Sequence, residues 1–444
     1  MHSDTMAKMF CGRCLQIHYL KRFRQIGMPS LLLEPAAAVL LLLIMTGCGL
    51  LSNNTTAVLW TDRPELAAYA ELFNAENADM RVEVIFKETP WLALEIESEH
   101  PDLVVGTRLD SDLTIEHFGT LDQLTKAGLI SPDSFYRKLY VRGLVEDKPV
   151  LLPVSFSLPI FAFRSEYSAM ISNSYDIDPI ELRKFSREYN GEGNKPDRIG
   201  FSPRWQPESI YALAILFGVN FREAAQRLPA WDEADLLQAI VFSKAWVDEV
   251  NGGVAVEEFF KTKYMYDPLY KLLDSGRILF TYMEIHEFLS VPAEVRENLD
   301  FRWLSNGEII QVCDEVLFIG RTKQSRQKKT SFEFISWLLS AKTQDQLLEL
   351  AQFERMRSFG FAGGFSSVIS VNSNVLPRYF PFLIGHIPNE ESLVFPSPLP
   401  ESWHEIKTEV LFPWLYEEVS AKEPSEALSD RMKQWLLQQP ELYR

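Results

Sequence analysis

Residues 57–86 read AVLWTDRPELAAYAELFNAENADMRVEVIF, and three phrases can be told apart in them. Ala57–Thr61 is a short apolar run closed by Asp62-Arg63-Pro64, the pattern of a buried strand ending in a turn. From Pro64 the apolar positions Leu66, Tyr69, Ala70, Leu72 and Phe73 recur at helical spacing, with Pro64 suited to the first turn and Asn74 to Asn77 near the stop. Met80–Phe86 then alternates charge and apolarity as a strand does. A β-α-β unit requires parallel strands joined by a right-handed crossover. Asp102–Gly106 reads as a third strand and Thr107–Asp110 as the loop at its carboxyl end. Ligands of open α/β sheets collect at such ends, which makes 61–65 and 107–110 the first places to look for a site.

Upstream, Ala36–Cys48 (AAAVLLLLIMTGC) is apolar until it stops on small residues and a cysteine. About 20 residues are needed to span a bilayer, so this run fits the h-region of an export signal, with Lys21, Arg22 and Arg24 as its basic flank. Met45-Thr46-Gly47-Cys48 resembles the bacterial lipobox, which implies lipidation of Cys48 and cleavage after Gly47. Residues 1–47 are then the lipoprotein signal region and 48–56 a polar, flexible tether. A protein anchored in this way is held at a membrane without spanning it.

The remaining chain of about 400 residues is longer than a single core usually grows, so two lobes are expected. The net charge of −17 becomes −20 once five basic and two acidic residues of the signal region are removed. Such acidity disfavours nucleic acid and anionic lipid as partners and is compatible with neutral sugars or cations. Cys11 and Cys14 precede the cleavage site and Cys48 carries lipid, leaving Cys313 without a disulfide partner or a zinc-type spacing. In IIQVCDEVLFIG it reads as a small apolar residue in a strand.

VLWTDRPELAAYAELFNAE, PDLVVG, FGTLDQLTKAGLI and KPVLLPVSFSLPIFAFRSE occur in an order that resembles the N-terminal half of the family 1 extracellular solute-binding proteins of ABC importers. SGRILFTYM, KKTSFEFISWLLSAKTQDQLL and SWHEIKTEVLFPWLYEEVSAKEPSEALSDRMKQWL are similar to later segments of that family. The resemblance implies an α/β fold of the two-lobe periplasmic-binding-protein type, with a hinge of crossing strands and the ligand clamped between the lobes. It places 57–157 and 310–340 in lobe 1, 158–309 and 341–444 in lobe 2, and Leu158–Arg164 as the first crossing strand.

The same resemblance implies ligand-facing roles for Asp62, Arg63, Arg108 and Asp110 at the strand ends of lobe 1. Asp62 as an N-cap and Arg63 as a solvated helix-start residue are the plainer readings. In lobe 2, Trp205 in Pro203-Arg204-Trp205-Gln206 is the leading stacking candidate, or else a tryptophan packed beneath its loop. Tyr282, Glu284 and His286 follow an expected strand at Ile278–Thr281, and Trp403 matches the position of a lobe-2 aromatic in the sugar binders. Phe359–Ser370 (FGFAGGFSSVIS) is expected as a small-residue loop near the site, and Trp414 and Trp435 read as core.

No G-x-S-x-G, H-E-x-x-H, G-x-G-x-x-G or metal-spaced Cys/His motif is present, so an enzyme is not expected and no cofactor or metal is assigned. The expected protein is a monomeric, lipid-anchored receptor in the cell envelope, in the periplasm or outside the cell. It would capture a small solute, a carbohydrate first, and deliver it to ABC permease subunits. A receptor for a polyamine or other cation, and a non-transport surface lipoprotein of the same fold, are the alternatives.

Overall fold

The computed structural model describes residues 55–171, 175–224, 228–356, 358–423 and 425–439. The export signal, Cys48 and tether positions 48–54 lie outside the described residues. Ten strands build two sheets: β1 (Thr55–Thr61), β2 (Met80–Phe86), β3 (Leu103–Gly106), β4 (Leu151–Phe156), β5 (Pro159–Arg164), β6 (Asp176–Ile177), β7 (Thr281–Glu284), β8 (Leu299–Leu304), β9 (Leu317–Arg321) and β10 (Phe365–Ser366). The larger sheet has the order β10-β4-β9-β3-β1-β2 and the smaller one β7-β5-β8-β6. Each sheet with its helices is one lobe.

In the larger sheet β1 lies parallel to both β2 and β3, as the β-α-β reading requires, and the helix Glu65–Glu76 makes the crossover. Thr55 and Thr56, assigned above to the tether, are already strand: they pair with Met80 and Arg81, and Thr55 Oγ1 lies 2.7 Å from Thr330 Oγ1. β-branched threonine suits such a pleated edge. β9 enters antiparallel between β3 and β4. Its Gly320 is needed for space, since a Cβ there would stand 2.4 Å from the Phe118 ring. Asp102 ties β3 to this returning segment. Its Oδ2 accepts from Val58 N, and its Oδ1 accepts from Ser325 Oγ and the Arg326 and Gln327 amides just before the helix Lys328–Leu338.

Residues 341–379, expected in lobe 2, pack instead on the larger sheet, whereas Phe382 and His386 lie against Phe301 and Trp303 of the smaller one. β10 pairs with β4, and Leu347, Phe359, Phe365, Val371 and Leu393 belong to the same core as β1, β3 and β9. The segment FGFAGGFSSVIS is therefore a sheet edge beneath Tyr69, which accepts from the Ala362 amide, and it does not line the concavity described below. Burial of Phe359, Phe361, Phe365 and Val368 accounts for the difference.

The chain passes between the sheets three times: at Ser157-Leu158, through 305–316, and after Val394. The crossings are bonded to one another. Ile310–Gln311 lies parallel to Leu393–Val394, Val312 N donates to Val394 O, and Cys313 N donates to Ser157 O. A second core in lobe 2 gathers the helices Pro207–Leu216, Glu233–Glu249, Phe412–Ser420 and Leu428–Gln438, with Trp414 and Trp435 inside it.

Candidate functional site

A concavity lies where lobe 2 meets the crossing segments, with a volume of ≈ 740 Å³, well within the range of small-molecule sites. Every residue lining it comes from lobe 2 or from 311–315.

One wall is the loop that enters the helix Pro207–Leu216. Arg204, 1% exposed, donates to Glu257 at 2.8 Å and to Glu258 at 2.7 Å, and Asn251 completes the shell of Glu257. That buried anchor fixes the neighbouring Trp205, whose ring stacks on Phe260 with centroids 5.2 Å apart and planes 13° apart. Trp205 also lines the cleft, and its Nε1 is buried without a hydrogen-bond partner. Both readings offered for this residue, packed and ligand-facing, thus describe part of its environment. Gln206 is bound to Thr281 and to both main-chain groups of Tyr282, locking the loop to β7.

β7 begins three residues later than expected, so Tyr282 and Glu284 lie on the strand itself and both line the cleft. Burial pushes the Tyr282 phenol well above its ordinary value. Glu284 opens the helix Ile285–Ser290 in a capping box with Glu287, and His286 Nδ1 sits 3.4 Å from its Oε2. The hydrogen bond to Glu284 raises His286 against the opposing effect of burial.

The floor is the crossing segment. Asp314 is buried and accepts from Tyr211 Oη at 3.1 Å, Trp403 Nε1 at 2.8 Å and Lys407 Nζ at 2.8 Å. Burial would push its carboxyl up, but the Lys407 and Arg108 charges outweigh it and hold the group below the usual range. Its neighbour Glu315 is held far below the carboxylate range, first by its hydrogen bond with His404 and, against burial, by the charges of Arg108, Lys407 and Arg63. Glu315 in turn raises His404. Gln311, 3% exposed, also lines the cleft, with its Oε1 buried and unpartnered. Burial raises the Cys313 thiol well above its ordinary value, consistent with the apolar reading of that residue.

The remaining expected residues do not line the cleft. Trp403 is fully buried, packed on Phe221 and Tyr211 with its indole N–H on Asp314. Arg108 adopts φ 61°, a left-handed conformation uncommon for arginine, and its guanidinium donates to Asp314 O at 3.0 Å. Asp110 is buried in an ion pair with Arg142, whose Nε lies at 2.7 Å. Arg63 stands at the lip, 3.5 Å from Asp62 and 3.9 Å from Glu315. Burial raises Asp62 above its ordinary value, with Arg63 opposing. Sequence reasoning missed Gln311, Asp314, Glu315 and Lys407. The one signal available was an Asp-Glu pair set inside an otherwise apolar run.

Beside the cleft the lobes touch directly. The Asp112 amide, in the loop after β3, donates to Glu223 Oε2 at 3.1 Å, and Glu223 N donates to Pro398 O. Burial pushes the Glu223 carboxyl up to about 7; the Asp112 amide opposes this, and the Asp112, Glu401 and Asp110 carboxylates add to it.

No protein-family model and no curated protein matches this chain. Solved structures do. An ABC substrate-binding protein from Listeria monocytogenes in complex with cycloalternan aligns at TM-score 0.61 and 14% identity, over 87% of this chain and 99% of that one. The sugar-binding protein MalE from Xanthomonas citri aligns at TM-score 0.62 and 14% identity, over 88% and 97%. The maltose-binding protein MalE from Listeria monocytogenes, in complex with maltose, aligns at TM-score 0.60 and 13% identity, over 88% and 100%. At such identities the likeness is one of architecture. This chain has the two-lobed α/β fold of the sugar-binding ABC substrate-binding proteins.

Proposed function

We propose that this protein is a solute receptor that captures a small ligand, a carbohydrate first, between its two lobes and presents the closed form to an ABC permease. The observation that carries the reading is the cleft at the bonded crossings, walled by a fixed tryptophan and by polar groups with no internal partner. Ligand on the lobe-2 wall would favour the closed state to the extent that lobe 1 adds contacts, and Arg63 and Asp62 at the lip are placed to add them. Solved structures of the same fold bind cycloalternan, maltose and mannobiose, which supports carbohydrate. The mechanism needs no reacting side chain, only stacking and satisfied hydrogen bonds. The cell-envelope location rests on Cys48 as the lipid anchor. Among the described residues no helix is long and apolar enough to cross a membrane.

A thermal-shift screen of mono- and oligosaccharides tests the receptor reading. A ligand at a hundred times its dissociation constant should add about 2.7 kcal/mol, a midpoint shift of a few degrees. Trp205→Ala should cut the shift to about a third while leaving the protein folded. An undiminished shift in that variant would remove the cleft from the reading, and no shift with any small solute would favour the non-transport lipoprotein. For the anchor, Cys48→Ser should move the protein from the membrane fraction to the soluble one; unchanged partition would refute lipidation there.

A further inference from the structure

We infer that the occupant of the cleft carries at least one protonated amino group, which it presents to the carboxylates of Glu208 and Glu284; this rests on the receptor reading above. Five carboxylates line the cleft, those of Glu208, Glu284, Glu287, Asp314 and Glu315, against a single lysine, two histidines and no arginine. Their internal partners separate them. Asp314 is matched by Lys407, Trp403 and Tyr211, and Glu315 by His404 with Arg63 behind it. Glu287 turns back to the Glu284 amide at 2.7 Å.

Glu208 has no ion-pair partner among the described residues, and Glu284 meets the helix cap, His286 and the Cys313 thiol but neither lysine nor arginine. A second observation points the same way: Gln311 is 97% buried on the cleft floor, and its Oε1 acceptor meets no donor. The one unmatched buried donor named beside them is Trp205 Nε1, and the Trp205 ring lines the same cleft as a face for cation–π contact. A ligand bearing phosphate or carboxylate would meet repulsion here. Among the described residues no three His, Cys, Asp or Glu side chains converge as a metal ion requires. The charge is spread along the walls, which suits an extended organic cation. An amino sugar and a linear polyamine share that chemistry.

The test uses the full chain in detergent and calorimetric titration with four probes: chitobiose, with free amines; N,N′-diacetylchitobiose, with the amines capped; cellobiose, with hydroxyls in their place; and spermidine. Chitobiose should bind at least about tenfold more tightly than cellobiose, the scale of one charge-assisted hydrogen bond. Glu208→Gln, at an exposed position, should weaken chitobiose by about tenfold and cellobiose by much less. Glu284→Gln keeps a capping side chain and should act in the same direction. Equal or tighter binding of cellobiose or of the capped disaccharide would overturn the inference and leave the sugar-receptor reading standing. Binding of spermidine alone would uphold the ammonium chemistry and overturn the sugar. Folded protein that binds none of the four would overturn the inference.

Discussion

The strand-end loops of lobe 1 and the cleft wall of lobe 2 carry similar side chains in opposite conditions. Around 62–63 and 108–110 the charged groups meet opposite charge or a carbonyl within the protein, Asp110 with Arg142, Arg108 with the Asp314 carbonyl, Arg63 with Asp62 and Glu315, although Asp62 Oδ1, Arg63 Nε and Arg108 Nε are themselves buried without a hydrogen bond. On the lobe-2 side and the floor below it, Trp205 Nε1 and Gln311 Oε1 have no partner, and Glu208 forms no ion pair among the described residues. Position at a strand end is thus not what distinguishes the two. Ion pairing separates them better: the lobe-1 charges are matched within the protein, and Glu208 at the cleft, among the described residues, is not.

Three variants sharpen or break this contrast. Asp110→Ala should cost most, about 3 kcal/mol of unfolding free energy in denaturant titration, because it leaves Arg142 buried and unpaired. Ligand affinity of the folded variant should stay near the parent value; a joint loss of both would erase the distinction between the lobes. Trp205→Ala should lose about 2 kcal/mol of ligand binding, and loss of its stack on Phe260 should also lower the denaturation midpoint of the empty protein.

Glu223→Gln probes the direct contact between the lobes and should have the smallest effect. The folded carboxyl titrates at about 7 against 4.5 for the free group, so the folded state holds a proton that the unfolded state releases between those values. Stability from this group is therefore present at low pH and is lost as pH rises from about 4.5 to about 7. Glutamine should remove that slope and stabilise the protein at pH 8 by about 1 kcal/mol, the full shift being discounted for solvent screening. Identical pH profiles for the two proteins would show that Glu223 titrates normally.

Much of lobe 1 was legible because its phrases are local. Pro64, the spacing of Leu66, Tyr69 and Phe73, and the alternation of Met80–Phe86 fix each element within a few residues of itself. β10 could not be read this way, because two residues carry no period and Phe365–Ser366 is a strand only through its neighbour β4. Trp205 could be picked out as an aromatic at a loop-to-helix entry. Trp403 had the same appearance, and only its bond to Asp314 shows that it is structural. Gln311, Glu315 and Lys407 were hidden because their roles arise where three distant chain segments cross, a relation with no signature in any one of them.

The placement of β9 has a further consequence, in time. It fills the middle of the larger sheet, between β3 and β4, yet follows β3 by about 200 residues. At about 5–20 residues per second, synthesis delivers that strand roughly 10–40 seconds after its neighbour. Until then β3 and β4 have no partner between them and lobe 1 cannot close its core. Under the export reading proposed above, this delay would lengthen the interval in which the chain can be threaded through a membrane unfolded, because the strand that commits lobe 1 to its folded state arrives late.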